Sequence, residues 1–93
     1  METYNWNAEK NNHLRERRNI SFEEVVLNIR FGNEVDIYDH PNQRCYPGQK
    51  ISVVLIEGYA YLVPFVENDE GIFLKTIIPS RKATKQYLGD KND

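Results

Sequence analysis

The stretch Ile20-Ser21-Phe22-Glu23-Glu24-Val25-Val26-Leu27-Asn28-Ile29-Arg30-Phe31-Gly32-Asn33-Glu34-Val35-Asp36-Ile37-Tyr38-Asp39 changes its hydrophobic period half-way along. Phe22, Val25, Val26 and Ile29 stand at i, i+3, i+4 and i+7, which is one face of a helix. Ser21-Phe22-Glu23-Glu24 is a capping box: the serine hydroxyl takes the N3 amide, and Glu24 can reach back to the cap. Ile20 and Val25 occupy the hydrophobic-staple positions around it, and Gly32 supplies the C-terminal stop. From Val35 to Asp39 apolar and polar residues alternate, the pattern of a half-buried strand. A helix that hands over to a strand within so few residues places the chain in a mixed class.

Upstream, Trp6, Lys10, Leu14 and Arg17 recur at three- and four-residue spacing, predicting a helix from about Asn7 to Arg18. Asn7 can cap its start, and Asn19 can end it because asparagine tolerates the left-handed conformation. Downstream, the loop residues 40–43 and 46–49 precede two apolar runs, Ile51 to Ile56 and Tyr59 to Val66. Glu57-Gly58 between them reads as a two-residue hairpin. Asn68-Asp69-Glu70-Gly71 turns the chain into a fourth strand, Ile72 to Ile78. Pro64 marks a bulge or an edge, since proline withholds a ladder hydrogen bond. Ser80 can then cap a last helix over Arg81 to Leu88. The expected fold is α+β: two N-terminal helices, a four-stranded antiparallel meander and a short C-terminal helix, with the helices on one side of the sheet. Residues 1–93 form a single domain on this reading, since no linker or repeat interrupts them.

The chain of 93 residues, 40% hydrophobic and 12% aromatic, is large enough for one modest core and too aromatic for a disordered segment. Its net charge of −2 lacks the basic excess of a dedicated DNA-binding domain. The charge is unevenly spread. Residues 31–72 hold two basic and seven acidic groups, whereas residues 73–93 hold five basic and two acidic. An anion site is therefore expected at the C-terminal end. The single Cys45 has no disulfide partner, and neither a signal sequence nor an apolar run of membrane length is visible. A soluble cytoplasmic protein without a membrane partner is the expectation.

The metal and nucleophile patterns are weak. Asp36, Asp39 and His40 lie on or beside one strand, where neighbours point to opposite faces, so they read as plain surface groups rather than ligands. His13 falls in a charged helix, and nothing pairs it with His40 or gives Cys45 a base. No metal or cofactor is expected. The segment Lys75 to Tyr87 is more informative, because a strand there runs into a helix with Ser80, Arg81 and Lys82 at the junction. Cations in the first turn oppose the helix dipole unless an anion meets them. The plain alternative is a solvated charged turn.

Tyr4-Asn5-Trp6-Asn7-Ala8-Glu9-Lys10, Ile20-Ser21-Phe22-Glu23-Glu24 and Ile78-Pro79-Ser80-Arg81-Lys82-Ala83-Thr84-Lys85 occur in that order. Together they resemble the opening, the second-helix start and the last strand–helix junction of BrnT-type toxins. Arg17-Arg18-Asn19 stands where that family usually has a basic residue, histidine and glycine. Pro79 and Ser80 replace its usual serine and alanine. The resemblance implies a RelE-like fold and a small cytoplasmic ribonuclease neutralised by a partner antitoxin, with which it forms an oligomer. It implies metal-independent cleavage of RNA by attack of the 2′-hydroxyl on the adjacent phosphate. Arg81 is then the phosphate-stabilising group, Lys82 and Lys75 add charge, and Tyr87 donates a proton or stacks on a base. Arg44, Lys50, Lys85 and Arg18 are the further candidate RNA-binding residues. Tyr87 can equally be core, since it shares a helix face with Ala83.

Two function classes follow. One is a toxin-like ribonuclease. The other is a non-catalytic interaction domain of the same fold, acting in regulation of its own operon.

Overall fold

Helix gives way to strand where the period changes, and a hydrogen-bonded stop marks the place. The computed structural model describes residues 3–89; the last charged residues of the C-terminal stretch lie outside them. Helix α1 spans Ala8–Arg18 and α2 spans Phe22–Arg30. The Asn7 side chain accepts the Lys10 N–H at 2.8 Å, and Asn19 closes α1 in the left-handed region at φ 56°. Ser21 accepts the Glu24 N–H at 3.2 Å. At the other end of α2, the Gly32 N–H reaches the Ile29 carbonyl and the Asn33 N–H reaches the Asn28 carbonyl, a Schellman motif that requires Gly32 at φ 88°.

Six strands follow or flank these helices: β1 (Tyr4–Asn5), β2 (Glu34–Asp39), β3 (Lys50–Ile56), β4 (Tyr59–Asn68), β5 (Gly71–Leu74) and β6 (Ile78–Pro79). Helix α3, Arg81–Leu88, ends the described chain. The sheet order is β1-β5-β4-β3-β2, with β6 also paired to β4. Glu57 at φ 51° and Gly58 at φ 79° form the turn between β3 and β4, the left-handed pair that matches strand twist in a two-residue hairpin.

The α+β class holds, but the four-stranded meander does not. The N-terminal segment adds β1, parallel to β5 through Tyr4–Ile72 and Asn5–Phe73 pairing. The expected strand from Ile72 to Ile78 is split into β5 and β6, both on the same side of β4. Pro64 explains the split. Its carbonyl accepts the Lys75 N–H at 2.8 Å, so its missing N–H faces the same side, where the ladder breaks between β5 and β6. Ile77, within that break, turns inward and is buried.

The helices also occupy both faces rather than one. Leu14, Phe22, Val25 and Val26 pack with Val54, Ile56, Val63, Phe65, Leu74 and Ile77 on one face. Val53 and Ala60 point to the other face and pack with Ala83 of α3. Alternation along β3 and β4 decides this, because Val53 and Val54 cannot share a face. The stripe on α1 is thin. Leu14 enters the core, Trp6 stacks on Phe22 at 5.7 Å, and the second buried position is Asn11 rather than Lys10 or Arg17. Asn11 accepts the Phe22 N–H and donates to the Glu23 carboxylate, both at 2.8 Å, tying α1 to the start of α2.

Strand β2 is a third departure from expectation. It is a sheet edge, and Val35 and Ile37 are exposed instead of half-buried, because α2 does not extend over β2 on the face where Ile37 pairs with Ser52. Its register slips between Glu34 and Asp36, and the Asp36 carboxylate accepts the Ile37 N–H at 2.8 Å. Bulges and charged side chains are ordinary devices for closing an open edge. Among the described residues no helix is long and apolar enough to cross a membrane.

Candidate functional site

The basic strand–helix junction is built by residues that fix α3 to the sheet. Ser80 accepts the Ala83 N–H at 3.0 Å and donates its own N–H to the Ala60 carbonyl at 3.0 Å. Thr84 donates to the Ser80 carbonyl at 2.7 Å and accepts the Ala60 N–H at 2.9 Å. Ala83 is buried against Val53 and Ala60. Ser80, Ala83 and Thr84 are thereby committed to anchoring, and Arg81, Lys82 and Lys85 stand exposed.

Beside this anchor lies a groove of about 290 Å³ lined by Tyr38, Val53, Leu62, Ser80, Lys82 and Tyr87, among others. Arg81 flanks it at the first turn of α3, which contains no acidic residue. Tyr87 has two roles in the wall. Its ring packs on the Val53–Ala60–Ala83 cluster, and its hydroxyl donates to the Asp36 carboxylate. That hydrogen bond, reinforced by desolvation and by the Asp36 charge, pushes the Tyr87 hydroxyl above the ordinary tyrosine range. Tyr87 therefore keeps its proton at neutral pH.

Of the eight residues singled out in the sequence, the structure gathers Lys82 and Tyr87 in the groove, with Arg81 beside it and Lys85 exposed further along α3. Lys75 is elsewhere: it lines a separate open groove with Asn7, Glu9, Lys10 and His13 at the start of α1. Its ammonium lies 5.2 Å from the Phe73 ring centroid. The break after β5 takes Lys75 out of the strand from which it was expected to project. Arg44 is exposed in the loop 40–49, which is pinned by Gln43 donating to the His40 and Gln49 carbonyls at 2.9 and 3.0 Å. Lys50 opens β3 opposite Asp39, and Arg18 ends α1 with Arg15 and Arg17. None of these three lines the α3 groove.

Tyr38, in the groove lining, and Asp36, bonded to the lining residue Tyr87, were given no role in the site by sequence reading, which took Asp36 as a surface group. Both sit on the β2 face that pairs with Val53 and Ile51, the face α3 covers. Their i, i+2 spacing was the available signal. His40 is not part of a ligand cluster, since its Nδ1 accepts the Asn42 N–H at 3.0 Å and its ring packs at a tilt against Tyr46, 4.4 Å between centroids. Among the described residues no three His, Cys, Asp or Glu side chains are grouped to hold a metal ion.

Comparison of the chain with protein-family models, characterised proteins and solved structures finds no match in any of the three.

Proposed function

We propose that this chain is the toxin component of a toxin–antitoxin pair, a cytoplasmic endoribonuclease that works without a metal or cofactor and is neutralised by a bound antitoxin. The observation that carries this reading is the α3 groove, where Lys82, Tyr38 and Tyr87 form part of the lining next to Arg81 and the Tyr87 hydroxyl reaches the Asp36 carboxylate. The three ordered motifs shared with BrnT-type toxins support it.

Cleavage on this reading forms a bond between O2′ and phosphorus and breaks the bond from phosphorus to O5′. The products are a 2′,3′-cyclic phosphate and a 5′-hydroxyl. Asp36 takes the O2′ proton, and the Lys82 ammonium supplies a proton to O5′; water restores both groups. Arg81 meets the charge that develops on the phosphorane oxygens. Tyr87 holds the Asp36 carboxylate in place and is not itself the acid, because its hydroxyl proton is already donated to that carboxylate. Tyr38 offers a ring on which an unpaired base can stack.

Inducible expression of the chain alone tests the reading, with growth and total RNA followed together. Growth arrest with RNA fragments ending in 2′,3′-cyclic phosphate is expected, abolished by Arg81→Ala and by Lys82→Ala in proteins that retain the native circular dichroism. Undiminished toxicity in a folded Arg81→Ala protein refutes the assignment.

A second reading, a non-catalytic interaction domain, is favoured by a different observation. Leu27, Phe31, Val35 and Ile37 are exposed where α2 runs into β2, Phe31 at 73%. It requires intact RNA together with tight binding of a neighbouring gene's product; failure to bind any such product overturns it.

A further inference from the structure

The face of the sheet opposite α3 carries a further cavity, of about 220 Å³, where α2 stops short of covering β2. Ile29, Ile37, Phe65 and Ile72 form apolar walls, and Tyr4 adds an aromatic one. Glu34 and Glu67 bring two carboxylates to the same lining. Glu34 is held there by the hydroxyl of buried Ser52, and Glu67 follows Phe65 by two residues on β4 and pairs with Ile72.

Neither carboxylate has a counter-ion: among the described residues the one ion pair is Arg15–Glu23, on the helices. Two cations stand close in the fold without lining the cavity. Lys50 faces Asp39 and Phe65 in the strand register, and the Arg30 guanidinium lies 5.8 Å from the Tyr4 ring centroid. The placement of Arg30 shows that this aromatic wall already attracts a cation of the chain itself. Apolar walls, aromatic faces and carboxylates together recognise a cation with a short hydrocarbon body. The volume lies below the ~300 Å³ at which drug-sized sites begin, so the guest is small.

We infer that this cavity binds an alkylammonium group, carried either by a free small amine or by a lysine side chain of another protein. The inference is independent of RNA cleavage. The test is titration of the ¹⁵N-labelled full chain with n-butylammonium chloride, with n-butanol at matched ionic strength, and with Nα-acetyl-lysine-N-methylamide. Butylammonium is expected to produce saturable shifts at the amides of Ile37, Ser52, Phe65 and Ile72. Butanol should bind at least about tenfold more weakly, and Glu34→Gln combined with Glu67→Gln should cost butylammonium a similar factor. Glu67→Gln alone, at an exposed position, should cost about threefold and serves if the double variant does not fold. Tighter binding of the lysine derivative assigns the cavity to a protein side chain; tighter binding of butylammonium assigns it to a free amine. Equal response to butanol, shifts scattered or unsaturable, or unchanged affinity in the Gln variants overturns the proposal.

Discussion

Replacing Asn11 by alanine should destabilise the protein by about 2 kcal/mol, although Asn11 sits on a helix where alanine is intrinsically preferred. Asn11 is 4% exposed, and its carbonyl oxygen accepts the Phe22 N–H at 2.8 Å. That amide opens α2 and has no partner within the helix. Leaving a buried donor unpaired costs about 1–3 kcal/mol. The second bond, to Glu23 at 2.8 Å, ends on an exposed carboxylate that Arg15 also contacts at 3.0 Å, so its loss adds less than about 1 kcal/mol. Better helix propensity returns about 0.5 kcal/mol. For a domain of this size the net loss corresponds to a fall in Tm of roughly 10 °C. The acid side gives a second readout. Asn11 is the first cause of the lowered Glu23 pKa, with Arg15 helping against desolvation. A depressed carboxylate stabilises the fold above its unfolded pKa, and that contribution fades as pH falls through the folded value. The variant should therefore lose less stability than wild type as pH drops below the ordinary 4.5 of glutamate. Urea denaturation at neutral and acid pH measures both effects. A neutral-pH loss under about 0.5 kcal/mol at unchanged m-value would refute the assignment of Asn11 as the joint between α1 and α2.

Thr84→Val should cost about 1–3 kcal/mol by orphaning the Ala60 N–H, with Thr84→Ser restoring most of it; urea melts of the three proteins decide. Gly71→Ala should detach β1, since a Cβ there would lie 2.3 Å from the Thr3 carbonyl oxygen at φ 123°; hydrogen exchange of the Ile72 amide, which donates to that carbonyl, should accelerate while the β3–β4 amides stay protected. Phe22→Ala, at a side chain with no exposure, should cost about 3–5 kcal/mol and leave little folded protein at 37 °C, as circular dichroism would register. Asp36→Asn should lower the Tyr87 pKa toward the ordinary 10.0, followed by phenolate absorbance with Tyr87→Phe as the assignment control. Because the folded pKa is raised, the stabilisation from this bond is present below the unfolded tyrosine pKa and is lost as pH climbs through the folded one.

Local signals carried the helices. The caps at Asn7, Ser21 and Ser80 and the stops at Asn19 and Gly32 are all formed, because each needs side chains only a few residues away. Signals that depend on partners elsewhere in the chain were not legible. The pairing of Tyr4 with Ile72 spans most of the sequence and leaves no periodic trace in two residues. The side of the sheet taken by α3 follows from whether Val53 or Val54 faces it, and both are valine. In the site, Arg81, Lys82 and Tyr87 were visible because they share one helix. Asp36 was set aside as surface, because its partner Tyr87 lies 51 residues away.

One carboxylate at Asp36 binds two different things: one oxygen accepts the Ile37 amide on the open edge of β2, and the other accepts the Tyr87 hydroxyl across the sheet in the α3 groove. The wall of the groove and the closure of the edge therefore depend on a single side chain. A lineage that abandons Asp36 frees Tyr87 and bares a strand flanked by exposed Val35 and Ile37 in the same step. Self-association at that edge would then become a cost in its own right. Retention of aspartate at position 36 in a descendant that no longer needs the groove would record the guarding of that edge.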